Sequence, residues 1–92
     1  MNGDYVVQGP AGAAPTFSGS RLHVGIIGLG IGRMHIDGWR QHPHVDVVAI
    51  ADSDAARLAQ VGTSHGIEAR YTDPLAMLAA EKLDVVSVCV PN

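Results

Sequence analysis

Apolar runs recur along this chain and alternate with amphipathic stretches. Leu22-His23-Val24-Gly25-Ile26-Ile27, Val45 to Ala51 and Val85 to Val90 are short and largely apolar, the pattern of strands covered on both faces. Ile67 to Tyr71 reads as a shorter strand. Ile31 to His42 reads as a helix stopped by Pro43. Asp54 to about Ser64 reads as a second helix, with Ala55, Leu58, Ala59 and Gly62 on one face. Thr72 or Asp73 precedes Pro74, an N-terminal signature for a third helix. Leu75, Leu78 and Ala79 are expected to form its apolar stripe. The order is strand, helix, strand, helix, strand, helix, strand. It predicts an α/β fold with a parallel sheet and right-handed crossovers. The expected spatial order is third, second, first, fourth strand, part of a doubly wound sheet that stops after its fourth strand.

Composition divides the chain in two. Met1 to Ser20 is rich in glycine and proline and holds no lysine or arginine. Too little of it can be buried to offset ordering, so residues 1–20 are expected to be a flexible tail and 21–92 a partial domain. The outer edge of the fourth strand is then expected to be bare, apolar and prone to association. The full chain has 92 residues, 47% apolar and 16% charged, which excludes a disordered acidic chain or a collagen-like repeat. Its net charge of -3 offers no basic surface to nucleic acid or an anionic membrane. A single cysteine, Cys89, allows no internal disulfide and is compatible with a cytoplasmic location. No apolar run approaches the roughly 20 residues of a membrane helix.

The candidate chemistry is Gly28-Leu29-Gly30-Ile31-Gly32-Arg33, placed between a predicted strand and a predicted helix. Gly28 can make a turn that a side chain would obstruct, and Gly30 leaves room for a pyrophosphate against the backbone. The helix N-terminus offers unpaired N–H groups to the phosphates. The string departs from G-x-G-x-x-G: Arg33 stands three after Gly30, and Gly32 comes one residue early. A shortened turn or an earlier helix start is expected. A glycine-rich turn without a ligand is the plain alternative.

Asp52 ends the second strand, 24 positions after Gly28, near the spacing of a ribose-binding acid. A carboxylate there can accept from the adenosine ribose hydroxyls and would repel a 2′-phosphate. Ser53 follows, and the nearest arginine, Arg57, falls on the next helix. This favours NAD over NADP. Asp52 or Ser53 could instead cap that helix, a role compatible with the first. Methyltransferases that use S-adenosylmethionine share the layout, but they usually carry an acid just before the first glycine, where this chain has Gly25-Ile26-Ile27.

These segments together resemble the Gfo/Idh/MocA family (glucose–fructose oxidoreductase, inositol dehydrogenase, rhizopine catabolism). Val24 to His35 resembles its opening glycine turn and first helix. Val48 to Asp54 resembles its second strand and acid. Gly66 with Tyr71-Thr72-Asp73 resembles its third strand and next helix. Leu83 to Asn92 resembles its fourth strand and the Pro-Asn loop beside the cofactor. The resemblance implies that Gly28, Gly30, Gly32 and the neighbouring amides of Leu29 and Ile31 hold the pyrophosphate. It places Arg33 and Met34 close to the phosphates, Asp52 with Ser53 at the ribose, and Val90, Pro91 and Asn92 along the groove. It implies hydride transfer between a nicotinamide cofactor and a sugar- or polyol-like CH–OH group in a parent protein expected to be a homo-oligomer. The family's catalytic lysine lies in a Glu-Lys-Pro segment after a fifth strand. This chain is expected to end before it, so no residue here is assigned to catalysis and NAD binding by the chain alone is expected to be weak. A non-catalytic nucleotide-sensing module remains the alternative.

Other residues read plainly. Glu81-Lys82 is followed by Leu83 and precedes the fourth strand, so Lys82 is expected to be solvated. His23, His35, His42, His44 and His65 show no metal-ligand spacing. Cys89 fits a small buried hydrophobe, and Ile36 and Trp39 fit packing on the sheet.

Overall fold

The structure is a computed structural model that describes residues 3–8 and 21–91. Its elements are β1 (Gly3–Gln8), β2 (Leu22–Ile27), α1 (Leu29–Arg40), β3 (Val45–Ala51), α2 (Ala55–His65), β4 (Ala69–Tyr71), α3 (Pro74–Ala80) and β5 (Val85–Pro91). The sheet order is β1-β5-β2-β3-β4. Strands β4, β3, β2 and β5 run parallel in that order, the expected third, second, first and fourth strands of the parallel set. This is a Rossmann-type sheet. β2 lies between β3 and β5, so the connections leave it in both directions and open a crevice at the C-terminal ends of these strands.

The two faces differ. Ile36 and Leu29 of α1 and Leu58 and Val61 of α2 pack with Val24, Ile26, Val45, Val47 and Ile50. Met77 of α3 packs on the other face with Ala49 and Ala51, flanked by Ile27, Val48 and Leu83. Alternation along β3 is interrupted to allow this. Pairing runs Val24 to Val47, then Gly25 to Ala49, so Val48 is an extra residue in a bulge. Val45, Val47 and Ile50 consequently share one face although their spacing is uneven.

Four expectations need correction. The N-terminal stretch is not a tail throughout: Gly3–Gln8 pairs antiparallel with β5, from Gly3 opposite Pro91 to Gln8 opposite Val86. Tyr5, Val6 and Val7 favour extended backbone, and the open edge supplies hydrogen-bond partners. The β5 edge is therefore covered rather than bare, and residues 9–20 lie outside the described residues. Secondly, α1 spans Leu29–Arg40 rather than Ile31 to His42; its early start is the one the shortened glycine string led to expect, with Gly28 making the turn at φ 88°. Thirdly, α3 is only two turns long and inserts Met77; Leu75 and Leu78 are 71% and 44% exposed. Fourthly, Ala55 and Ala59 of α2 face solvent, and Val61 joins Leu58 and Gly62 inside.

α2 ends in a Schellman motif. Gly66 takes φ 67°, its N–H reaches Thr63 O, and the Ile67 N–H reaches Gly62 O at 2.8 Å. Ile67 is thereby fixed in the core, and β4 begins only at Ala69, two residues later than the apolar pattern suggests.

Candidate functional site: a glycine turn facing a buried carboxylate

The site is built where β2 hands over to α1. Gly28 occupies the left-handed side of backbone space, which only glycine takes without strain. Its N–H donates to Ala51 O at 2.9 Å, tying the turn to the end of β3. No side chain caps α1. Its first amide, from Leu29, instead donates to Asp52 Oδ2 at 2.7 Å. The next residue, Gly30, is exposed, and a Cβ there would meet only the Arg57 guanidinium at 3.6 Å. A face of bare backbone is left at a helix N-terminus, where the peptide dipoles favour an anion.

Asp52 is 7% exposed and its partners are specific. Oδ2 accepts from Leu29 N–H and faces Arg57 Nη1 at 3.5 Å; Oδ1 accepts from Asp54 N–H at 2.8 Å. Its own N–H donates to Tyr71 O at 3.0 Å. Burial works to raise its pKa. The Asp54 and Leu29 N–H groups and the Arg57 charge outweigh burial and hold the carboxyl below the usual aspartate range. Asp52 is therefore an anion at neutral pH, with acceptor capacity to spare: a carboxylate offers about four lone-pair sites.

A cleft of about 560 Å³ joins these groups. Gly28, Gly30, Ile31, Asp52 and Ser53 line it, five of the residues expected from sequence. Ile27, Ala51, Pro74 and Cys89 line it as well. Leu29 contributes only its backbone, since its side chain is fully buried in the core. Gly32 is buried: a Cβ would come within 2.9 Å of Ile26 Cγ2, and its N–H is bonded to Gly28 O. It lets the helix pack closely on the sheet. Arg33 and Met34 are exposed and do not line the cleft. Val90 and Pro91 lie at the end of β5 opposite Asp4 and Gly3, and Asn92 lies outside the described residues.

Sequence reasoning named Arg57 only as the nearest arginine on the next helix, whereas the structure brings it to the cleft. It stands on the first turn of α2, and its guanidinium also approaches Asp54 Oδ2 at 3.9 Å. Its spacing, five after the ribose acid, was the available signal. Lys82 is exposed and Cys89 is 1% exposed, as expected of each. Among the described residues no group of three or more His, Cys, Asp or Glu could hold a metal ion, and no helix is long and apolar enough to cross a membrane.

The comparisons agree with this geometry. The sequence model of the Gfo/Idh/MocA oxidoreductases, described as an oxidoreductase family with an NAD-binding Rossmann fold, matches residues 22–92. D-apiose dehydrogenase of Paraburkholderia graminis is 39% identical over 77 residues, covering 83% of this chain and 20% of the relative. D-glucoside 3-dehydrogenase of Escherichia coli is 37% identical over 75 residues, covering 79% of this chain and 21% of the relative. The chain thus spans about a fifth of the length of these curated relatives. Among solved structures, an Agrobacterium radiobacter oxidoreductase crystallised with NAD+, L-tartaric acid and magnesium superposes with a TM-score of 0.62 at 34% identity. That match covers 73% of this chain and 20% of the other.

Proposed function

This chain belongs to the Gfo/Idh/MocA oxidoreductase family and carries its NAD-binding Rossmann fold, and on that footing we propose how its residues divide the work of holding the dinucleotide. The uncapped start of α1 beside Gly30 receives the diphosphate. Asp52, fixed by two backbone N–H groups, accepts from the adenosine ribose hydroxyls. Ser53 and Pro74 flank the adenosine side, and Cys89 of β5 walls the side toward the nicotinamide. Bound NAD supplies a nicotinamide carbon that takes up or releases hydride. The chain's own residues bind and orient: they fix the diphosphate, set the ribose and bar bulk from the turn. The longer protein would act on a CH–OH group of a sugar- or polyol-like substrate. The names of the relatives support this, since one is a D-apiose dehydrogenase and another a D-glucoside 3-dehydrogenase.

The observation that carries the reading is the pairing of a helix start without its own cap and a buried, ionised carboxylate across one cleft. The test is a titration of the 92-residue chain with NAD+, followed by amide NMR. Shifts are expected at Gly28, Gly30, Ile31 and Asp52. In Gly30→Val they should vanish while the fold persists, because the added side chain meets only a movable guanidinium. Shifts that survive the substitution would place the nucleotide elsewhere and end this reading.

A further inference from the structure

β1 lies outside the span that the family model matches, which begins at residue 22. Its role is therefore read from this chain alone. It forms the edge of the sheet and pairs with β5 over its whole length, from Gly3 opposite Pro91 to Gln8 opposite Val86. The strand it covers is of the kind that natural sheets avoid exposing. Val85 to Val90 carries no charge, and the proline of β5, Pro91, comes last. The β1 ladder shows that this edge accepts an antiparallel strand. β5 of a second copy can supply one, because two identical strands pair antiparallel about a two-fold axis. The tether decides which of the two wins. Gln8 lies opposite Val86, near the start of β5, and Leu22 begins β2 on the other side of β5. Residues 9–21 join them across two strand spacings, about 10 Å. A tether of this size holds β1 against β5 at an effective concentration on the order of millimolar, far above that of a second copy at micromolar concentration.

We propose that Gly3–Gln8 is an edge guard: it occupies the surface through which two copies of this chain join when it is removed, β5 against β5. The glycine turn and Asp52 follow β2 and β3, with which β1 does not pair. The guard thus governs association and is independent of the dinucleotide reading.

The test is the sedimentation mass of the full chain at micromolar concentration, with the amide signals of Gly28 and Ala51 as the check on folding. The wild-type chain is expected to run as one copy. The double variant Val6→Pro with Val7→Pro should run as two. N–H groups along an antiparallel strand point alternately toward and away from the neighbour, so one of two adjacent prolines must remove a ladder bond. A synthetic peptide of residues 2–9, added in excess, should return the variant to one copy. Adding Val88→Lys should do the same. Val88 is the middle residue of β5, where a two-fold axis sets it beside its own copy, and like charges there repel. Should the double proline chain lose its fold, cutting a protease site introduced within residues 9–20 frees the arm with every strand intact. The freed arm leaves on dilution, and the same doubling of mass is expected. A folded proline variant or a cut chain that stays single overturns the proposal. So does a doubled mass that survives the peptide or Val88→Lys, which would put the contact elsewhere, as at the exposed Leu75 and Leu78 of α3. A wild-type chain that already runs as two copies would overturn it as well.

Discussion

Three helices among the described residues begin after a strand, and they do not begin alike. Asp54 caps α2 by accepting from Arg57 N–H at 3.0 Å, and Asp73 caps α3 by accepting from Leu75 N–H at 3.0 Å. Both devices are local: each satisfies an orphan amide with a side chain next door. α1 starts with Gly28 and has no such cap. Its first amide is satisfied by a carboxylate 23 residues away, on a different crossover. A locally capped helix start serves folding. One that depends on a distant acid and leaves a bare glycine beside it forms a receptor site, and it exists only after the strands have assembled.

That contrast can be broken from the packing side first. Gly32→Val should give the largest effect, because even a Cβ would lie 2.9 Å from Ile26 Cγ2 and 3.4 Å from Cys89 Cβ. Overpacking on this scale costs about 3 kcal/mol, read as a lowered urea midpoint. A midpoint within experimental error of the wild type would mean that α1 does not lie this close to the sheet.

Next in size is Asp52→Asn. The amide keeps the shape but turns one donor toward the N–H of Leu29 or Asp54, a loss of about 2 kcal/mol. The substitution also tests the charge. Asp52 titrates below its ordinary 3.8 in the folded chain, so its ionised form adds stability above that value. This contribution is lost as pH falls from there through the depressed folded value. The wild-type urea midpoint should therefore fall more between pH 6 and pH 2.5 than that of Asp52→Asn. Asp46, held low by its hydrogen bond to Arg21, contributes to both chains and cancels in the difference. Parallel pH profiles would show that Asp52 is not the ion described here.

The smallest effect sharpens the comparison. Asp73→Ala should lower stability by about 1 kcal/mol, the usual worth of an N-cap, and leave nucleotide-induced shifts at Gly30 and Asp52 in place. A cap that altered binding as well would erase the distinction between the two kinds of helix start.

Much of this was legible in the chain. The alternation of elements, the spatial order of the parallel strands and the pairing of Gly28 and Gly30 with Asp52 follow from apolar runs and turn chemistry, which are local signals. What was missed depends on where side chains land after assembly. Arg57 reads as an ordinary helix residue until α2 is laid beside α1. Gly32 looks like a third phosphate glycine until Ile26 and Cys89 are beneath it. Met77 displaces Leu75 and Leu78 from the inside because a two-turn helix touches the sheet at one position, and its sequence names three candidates. The strand at Gly3–Gln8 was hidden by the glycine and proline content of its neighbours, although Tyr5, Val6 and Val7 are good strand formers.

The bulge at Val48 bears on how this domain tolerates changes in length. β3 holds one residue more than its ladder to β2 uses, and that surplus sits midway, with Val48 and Ala49 both on the α3 side. Beyond it the alternation resumes, bringing Ile50 and then Asp52 round to the side of the glycine turn. Losing Val48 would straighten the strand and keep that phase. Losing Ala51, only three residues on, would reverse it and carry the carboxylate to the opposite face of the sheet. One strand thus contains a slack joint and a fixed one, and an insertion or deletion is neutral or disabling according to which it strikes.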